Sequence, residues 1–316
     1  MRLLITGGAG CLGANIIDHF LPRAGVEILV LDNFATGYRQ SLPQDASNLS
    51  IVEGSVANKQ QVDDVFDAFK PTHVIHSAAA YKNPDDWQED INTNVLGSLY
   101  VARAAERVGV KRLVNFQTSL TFGRPETTPI PNGAPSKPFT SYGVSKTAGE
   151  QIMLAANLNV VSLRLSNITG PRLSIGPIPT FYTRLKAGKG CFCSDTYRDF
   201  MDMSDFIKFL DLALDENAPQ GVFNVGTGES KSIEDVFDQA VAYLGISMDE
   251  PVPVVPAGED DVKTVVLDAS ETQKAFNWKA EVSFEDTIRK MYEWYDEFGV
   301  TAIFSHVKKP DVDGEN

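Results

Sequence analysis

Over its first 166 residues, the chain alternates short β-rich runs with segments of helical periodicity. This alternation predicts a parallel sheet covered by helices on both faces, because parallel strands need long crossover connections. The predicted strands are residues 2–6, 27–31, 49–52, 73–76, 112–117 and 160–165. Apolar residues three or four positions apart predict the buried helical stripes, which are Leu12, Ile16 and Phe20; Val62, Val65, Phe66 and Phe69; and Ile91, Val95 and Leu99.

The regular alternation of strand-like and helical segments ends after residue 166. Gly/Pro-rich loops such as 170–179 are followed by a Pro-rich stretch at 251–258 and by two late helical segments near 270–276 and 284–298. We therefore predict a Rossmann-type, doubly wound α/β domain over residues 1–166 and a smaller, mostly α-helical substrate lobe over 167–316. Part of 200–230 is expected to return to the first domain, because 221–226 has the composition of a strand.

Charge and length exclude several classes of protein. The 316 residues carry 28 Lys and Arg against 42 Asp and Glu, a net charge of −14. Such a chain repels nucleic acids and acidic membranes, so neither is an expected partner. No apolar run approaches the roughly 18 residues of a membrane span, and a strand that starts at residue 2 leaves no room for a signal peptide, so a cytoplasmic enzyme is expected. Cys11, Cys191 and Cys193 fit neither a disulfide framework nor a zinc site, and no metal is predicted.

The first strand runs directly into the sequence TGGAGCLG (6–13) and then into an amphipathic segment. Gly7, Gly10 and Gly13 lie where a strand turns sharply into a helix N-terminus, which favours binding of a pyrophosphate to backbone amides. The glycine spacing alone also fits a plain Gly-rich turn. Asp32, 19 residues after Gly13, ends the second strand, and its carboxylate favours the ribose hydroxyls of NAD(H), whereas Arg39 keeps NADP as an alternative.

Tyr142 and Lys146 are four residues apart and therefore share one face of a predicted helix. Together with eight further motifs in a fixed order, they make the chain resemble the extended short-chain dehydrogenase/reductase family, in its branch of nucleotide-sugar epimerases and dehydratases. The motifs are TGGAGCLG (6–13), DNFATG (32–37), HSAAA (76–80), NTNVLG (92–97), QTSLTFG (117–123), YGVSK (142–146), RLSNITGPR (164–172), RDFMDMSD (198–205) and FNVGTG (223–228). They cover nearly the whole chain.

This resemblance implies roles for individual residues. Thr118, Tyr142 and Lys146 would form a catalytic triad, in which the phenol of Tyr142 is the base and a neighbouring ammonium and the oxidised nicotinamide lower its pKa. The residues expected to bind NAD are Gly7, Gly10, Cys11, Leu12, Gly13, Asp32, Asn33, Ser55, Val56, Ala78, Ala79, Asn94, Tyr142 and Lys146. Those expected to bind a nucleotide sugar are Thr118, which would bond the reacting hydroxyl, Asn167 and Arg198, which would hold the diphosphate, and Ile178, which would frame the base. A salt bridge of Arg198 with Asp195 or Asp199 is the alternative interpretation.

The residues that follow Thr118 separate the reactions of this branch. Related dehydratases carry Asp-Glu there, and uronate decarboxylases carry Glu at the second position, whereas this chain has Ser119 and Leu120. Leucine cannot transfer a proton. We therefore predict an NAD-dependent epimerase that inverts C4 of a nucleotide hexose or hexuronate, with UDP as the expected nucleotide, through a transient 4-keto sugar. The alternatives are a reductase or dehydrogenase of the same family and a non-catalytic, NAD-sensing binding protein.

Several segments bear on substrate and assembly. Ser55 replaces an Asp that binds adenine in the family, Phe122 replaces a Tyr, and residues 256–262 lack a phosphate-clamping Arg. The segments 76–82, 192–200 and 303–306 most resemble epimerases of surface-polysaccharide (O-antigen) biosynthesis. Segments 91–108 and 140–157 resemble the helices with which relatives dimerise, so a homodimer is expected.

Overall fold

A computed structural model of the protein describes residues 1–258 and 261–301. The strands are β1 (Arg2–Thr6), β2 (Glu27–Asp32), β3 (Leu49–Glu53), β4 (His73–His76), β5 (Arg112–Thr118), β6 (Val160–Leu165), β7 (Asn167–Thr169), β8 (Cys193–Ser194), β9 (Tyr197–Arg198), β10 (Phe200–Asp202), β11 (Gly221–Val225), β12 (Lys231–Ser232), β13 (Val254–Val255) and β14 (Thr264–Val265). The helices are α1 (Cys11–Phe20), α2 (Lys59–Phe69), α3 (Trp87–Asp90), α4 (Gly97–Val108), α5 (Ser141–Ala155), α6 (Pro177–Lys186), α7 (Met203–Ala213), α8 (Ile233–Leu244), α9 (Ser270–Phe276) and α10 (Phe284–Phe298). A π-helical turn (Ile91–Leu96) precedes α4, and 3₁₀ turns occur at Arg39–Ser41 and Ser119–Phe122.

Seven parallel strands form the central sheet, in the order β3–β2–β1–β4–β5–β6–β11. The prediction of a Rossmann-type α/β fold is confirmed. The winding direction reverses between β1 and β4, and ligands of such sheets bind at the carboxyl ends of the strands next to this switch point. All six predicted strands are present. β2, β3 and β5 each extend one residue further than predicted, because Asp32 pairs with Glu53 and Thr118 pairs with Leu165.

The hydrophobic core occupies both faces of this sheet. Leu3 and Ile5 pack on one face with α1 and α7, whereas Leu4 packs on the other face with α2 and α4. This division follows from the alternation of side chains along a strand. The residues Val62, Val65, Phe66 and Phe69 of α2 are buried as predicted.

The buried stripe predicted for Ile91, Val95 and Leu99 is wrong. Ile91 is 42% exposed, and the other two residues are only partly buried. The face that packs inward instead carries Asn94 and Ser98, which are 1% and 3% exposed. Apolar periodicity did not identify this face, because two polar side chains that bond neighbouring elements occupy it.

The chain after residue 166 contributes to two regions. β11 is the outer strand of the central sheet beside β6, and α7 packs on that sheet. The second region has its own core, formed between α6, α8 and α10 by residues that include Phe181, Phe237 and Tyr292. Both late helices lie at the predicted positions. Segment 303–306 lies outside the described residues, and within residues 1–258 and 261–301 no helix has the length and apolar character needed to cross a membrane.

Candidate active site

The turn from β1 into α1 is closely packed. Gly7 has a φ of +69°, and a Cβ added to it would lie 2.8 Å from the backbone of Ala78. A Cβ on Gly13 would lie 2.5 Å from Cα of Gly8. Within the described chain, no side chain caps the start of α1 at Gly10. Main-chain amides at this helix start are therefore directed at the carboxyl ends of the strands, where they form an anion cradle.

Asp32 joins the end of β2 to this turn. Its carboxylate accepts hydrogen bonds from the amides of Ala9 and Phe34, each at 2.8 Å, and the residue is 7% exposed. Burial raises the pKa of Asp32, and the two amide bonds oppose that rise. The carbonyl of Asp32 accepts from the amide of Gly54 at 2.9 Å, which brings Ser55 close to the same strand end.

The other residues predicted to bind the cofactor lie around these strand ends. Ala78, after β4, lies against Gly7. Asn33 is exposed, and its side chain accepts from the amide of Ala35. The side chain of Val56 is 3% exposed and packs against Gly97, where an added Cβ would lie 2.7 Å from Cγ2 of Val56. The Val56 side chain therefore belongs to the core.

Asn94 connects the loop after β4 to α5. Its side chain accepts from the amide of Ala80 at 2.9 Å and donates to the carbonyl of Ala80 and to Oγ of Ser145, each at 3.0 Å. The π-helical turn places Asn94 there, and single π turns inside helices are frequent at functional sites. Ser145 lies between Tyr142 and Lys146, so this bond holds the helix that carries both.

Thr118, at the carboxyl end of β5, lies on the strand against which the helix that carries Tyr142 and Lys146 packs. Tyr142 and Lys146 are one turn apart on this helix, α5. Nζ of Lys146 donates to the carbonyl of Phe116 at 2.6 Å. Gln117 ties the two elements together, because its side chain donates to the carbonyl of Lys146 at 3.0 Å and accepts from the amide of Thr118 at 2.7 Å.

Burial shifts both titratable groups of this constellation toward their neutral forms. It lowers the pKa of Lys146 to about 8, and the carboxylate of Glu150 opposes that change. Burial raises the pKa of the Tyr142 phenol well above its usual value, and Tyr81 and Asp90 add to the rise. The ring of Tyr81 lies 6.0 Å from that of Tyr142. A positive charge near the phenol would lower this pKa and favour Tyr142 as a base.

The turn after Thr118 packs on the start of α5. Oγ1 of Thr118 accepts from the amide of Leu120 at 3.1 Å. A Cβ on Gly143 would lie 3.0 Å from the carbonyl oxygen of Leu120, so this turn directly adjoins the residue after Tyr142. A proton-transferring side chain at position 119 or 120 would therefore lie beside the triad, and this chain has Ser119 and Leu120.

The other three residues predicted to bind substrate, Asn167, Ile178 and Arg198, lie in the chain after β6. The Nδ2 group of Asn167 donates to the carbonyl of Asp199 at 3.2 Å, which places it next to Arg198. Arg198 donates to the carbonyls of Tyr197 and Val262, each at 2.8 Å, and forms an ion pair with Asp261. Asp261 is thus the partner of Arg198, rather than Asp195 or Asp199. The side chain of Ile178 is 1% exposed and belongs to the core of the lobe.

Residues 3–226 match the NAD dependent epimerase/dehydratase family. The chain belongs to this family. It is 62% identical to the Bordetella bronchiseptica enzyme WbmG, whose structure holds NAD and UDP, with a TM-score of 0.93 and coverage of 98% of this chain and 99% of that one. It is 34% identical to WbmH of the same organism, solved with NAD+, with a TM-score of 0.87 and coverage of 95% and 99%. A UDP-glucose 4-epimerase of Corynebacterium glutamicum is 27% identical over an alignment of 311 positions, which covers 89% of this chain and 91% of that protein.

Membership of the epimerase/dehydratase family confirms both the predicted resemblance and the prediction of NAD as the cofactor. The residues present fit a dinucleotide, because the turn at Gly7 and Gly13 tolerates no Cβ and Asp32 lies beside it. The roles of the individual binding residues stay predictions. Bound NAD would accept a hydride from the substrate carbinol and return it.

Three residues of this epimerase/dehydratase site were missed by the sequence reasoning. Gln117 lies inside a quoted motif, but nothing in its spacing indicates that it bridges two elements. The buried ring of His76 lies 2.8 Å from Oγ1 of Thr6 and 3.1 Å from Oγ of Ser98, which the motif HSAAA does not indicate. Burial lowers the pKa of His76 to about 3, so the ring is neutral. Asp261 lies 63 residues from Arg198 in the chain, and only the pairing of β9 with β14 brings them together.

Proposed function

We propose that this protein inverts C4 of a UDP-hexose or UDP-hexuronate through a transient 4-keto sugar, with NAD retained through turnover. The single observation that carries this proposal is the combination of a complete Thr118, Tyr142 and Lys146 constellation with an apolar residue at position 120. The site has the groups needed to remove a proton from a hydroxyl. Among the described residues of the adjoining turn, no carboxyl group is present that could eliminate water or assist decarboxylation.

The chain's own residues would divide the chemistry as follows. Tyr142 takes the proton of the C4 hydroxyl and later returns it, and Thr118 donates to or accepts from the same oxygen. Lys146 contributes positive charge, which favours the phenolate. Because burial raises the pKa of Tyr142, an oxidised nicotinamide nearby would be a second positive charge that favours the phenolate. Proton removal is therefore proposed to be more favourable with the oxidised cofactor.

Arg198 and Asn167 are proposed to hold the diphosphate. The nucleotide is proposed to be UDP, since the WbmG structure contains UDP and the Corynebacterium glutamicum protein is a UDP-glucose 4-epimerase. Arg198 is held by three carbonyls, those of Tyr197, Val262 and Lys263, and by Asp261. Substrate must therefore compete with that ion pair or bind the remaining N–H groups of Arg198. A place in O-antigen biosynthesis in the cytoplasm is proposed from the resemblance of the sequence segments 76–82, 192–200 and 303–306.

The proposed homodimer would form through α4, α5 and the turn between α3 and α4. Trp87, Ile91 and Val144 are 49%, 42% and 38% exposed on this surface. Large apolar side chains that cluster on one surface are typical of interfaces. This surface also contains the helices that the sequence analysis assigned to a dimer.

Sugar NMR on UDP-hexoses and UDP-hexuronates tests the reaction. We expect a C4 epimer to accumulate to equilibrium without net change in NADH absorbance. Continuous consumption of NADH with a 4-keto or free ketone substrate, and no epimer, would assign the protein to the reductases. Absence of any turnover, with NAD bound, would favour a sensing role.

A further inference from the structure

A buried ion pair joins α5, the helix that carries Tyr142 and Lys146, to β6. Nη2 of Arg164 lies 2.8 Å from Oε2 of Glu150, and the two side chains are 7% and 0% exposed. Oε1 of Glu150 also accepts from Oγ of Ser162 at 2.8 Å. A buried pair of this kind is often no more stabilising than apolar residues of the same volume. Stability alone therefore does not account for it.

This ion pair contacts each element that carries a member of the triad. Glu150 lies one turn after Lys146 on α5. Arg164 lies on β6, and its guanidinium is 4.9 Å from the ring centroid of Phe122, in the turn that follows Thr118. Oγ of Ser162 accepts from Asn115 of β5 at 2.9 Å. The pair thus fixes α5 relative to β5, β6 and the turn.

The pair also acts on the charge of Lys146. Burial lowers the pKa of Lys146 to about 8, and the carboxylate of Glu150 counteracts this effect. The other titratable groups nearby supply no negative charge of comparable effect. Tyr142 on the same helix and His76 from β4 are both neutral, because burial raises the pKa of the first and lowers that of the second. From β5, Lys146 meets the uncharged carbonyl of Phe116. Asp90 and Tyr81 act on Tyr142.

We propose that Glu150 is a positioning residue of the reaction, whose ion pair with Arg164 orients α5 and whose carboxylate keeps Lys146 in its ammonium form. This inference rests on the proposed function, because the ammonium is needed only where Tyr142 serves as a base. Glu150 touches neither substrate nor cofactor in this assignment and acts through Lys146.

Two variants break the same ion pair with opposite effects on charge. Glu150→Gln removes the negative charge, whereas Arg164→Met leaves it. We expect Glu150→Gln to lower the pKa of Lys146 by about one unit, a tenfold loss of ammonium at a given pH above it. The apparent pKa of the alkaline limb in the pH profile of kcat should fall by the same amount. Arg164→Met is expected to leave this apparent pKa unchanged or to raise it. Equal shifts in both variants, or no shift in Glu150→Gln, would overturn the proposal.

The Lys146 side chain should also be titrated directly, by ¹⁵N NMR of the lysine-labelled protein as it purifies with NAD, with Lys146→Met to assign the signal. This measurement needs no sugar, so it stays informative if no nucleotide sugar is converted. If either single variant fails to fold, Glu150→Gln with Arg164→Met replaces the whole pair by neutral residues. The pKa of Lys146 is expected to be lower in this double variant than in Arg164→Met, and equal values in the two would contradict the proposed role.

Discussion

The ammonium of Lys146 donates a hydrogen bond to the main-chain carbonyl of Phe116, 2.6 Å away on the strand that ends at Thr118. This bond directs the lysine side chain from α5 onto β5. Tyr142, one turn earlier on the helix, faces Tyr81 at a ring distance of 6.0 Å. The relation of helix to strand therefore brings the triad together. Any change that moves α5 on β5 is expected to reduce activity before it affects folding.

Tyr142→Phe removes the proposed base and keeps the ring. We expect kcat to fall at least about a hundredfold, because general-base catalysis contributes on the order of 10²–10⁴, while KM changes little. The measurement is steady-state conversion of the nucleotide sugar, with bound NAD quantified in the same preparation. A Tyr142→Phe enzyme that retains full activity and normal NAD would exclude Tyr142 as the base.

Gly13→Ala is expected to abolish retention of NAD and to lower the melting temperature, because the added Cβ would lie 2.5 Å from Cα of Gly8. The matched control is Gly133→Ala, where an added Cβ meets no atom of the described chain within 4 Å. Absorbance of the released dinucleotide and calorimetry measure the two effects. NAD content equal in both variants would show that the turn tolerates a side chain.

Arg198→Met is expected to raise KM for the nucleotide sugar about tenfold or more, because a charge-assisted hydrogen bond to phosphate is lost. Little change in kcat is expected, since Arg198 lies in β9, apart from the triad. Lys111→Met is the control, a cation that pairs with Glu216 at 3.1 Å and is 56% exposed. If KM is the same in the two variants, Arg198 does not bind the diphosphate.

Asp296 predicts a pH dependence of stability. Its carboxylate accepts from Tyr182 and Tyr243 at 2.6 Å and from Lys186 at 2.7 Å, and these bonds hold its pKa below the usual value. The resulting stability is present above the unfolded-state pKa of about 3.9 and is lost as pH falls toward the lower folded-state pKa. The effect is modest, because the side chain is 45% exposed.

Asp296→Asn should therefore lower the urea midpoint at pH 7, and the difference from the parent protein should narrow below about pH 4. Asp45→Asn, in an exposed loop, is the control and should leave the midpoint unchanged. If the urea midpoints of Asp296→Asn and the parent protein differ by the same amount at pH 7 and below about pH 4, the lost stability comes from packing and not from the charge of Asp296.

Ile91→Asp tests the proposed dimer. A charge at this position would be buried in the interface without a partner, so we expect the protein to become monomeric by light scattering at micromolar concentration. Leu212→Asp on α7 is the control, because Leu212 is 40% exposed and Ile91 is 42% exposed. A parent protein that is already monomeric, or equal masses for both variants, would contradict the assignment of this surface.

Local sequence determined the order of the elements, the glycine turn, the position of Asp32 and the Tyr142 to Lys146 spacing. Each of these depends on residues within about one turn or one strand of each other, where periodicity and steric rules act directly. Tertiary structure decided the remainder. Asn94 and Ser98 are buried in place of the apolar stripe at Ile91, because their hydrogen bonds to Ser145 of α5 and His76 of β4 outweigh local hydrophobicity there.

The same reason explains the partners of the charged groups. Arg198 pairs with Asp261 because β9 and β14 become neighbours in the fold, and Glu150 pairs with Arg164 because α5 packs against β6. The identity of a side chain shows that it needs a partner when it is buried. Which partner it finds is set by packing between elements, and no local pattern of the sequence encodes that choice.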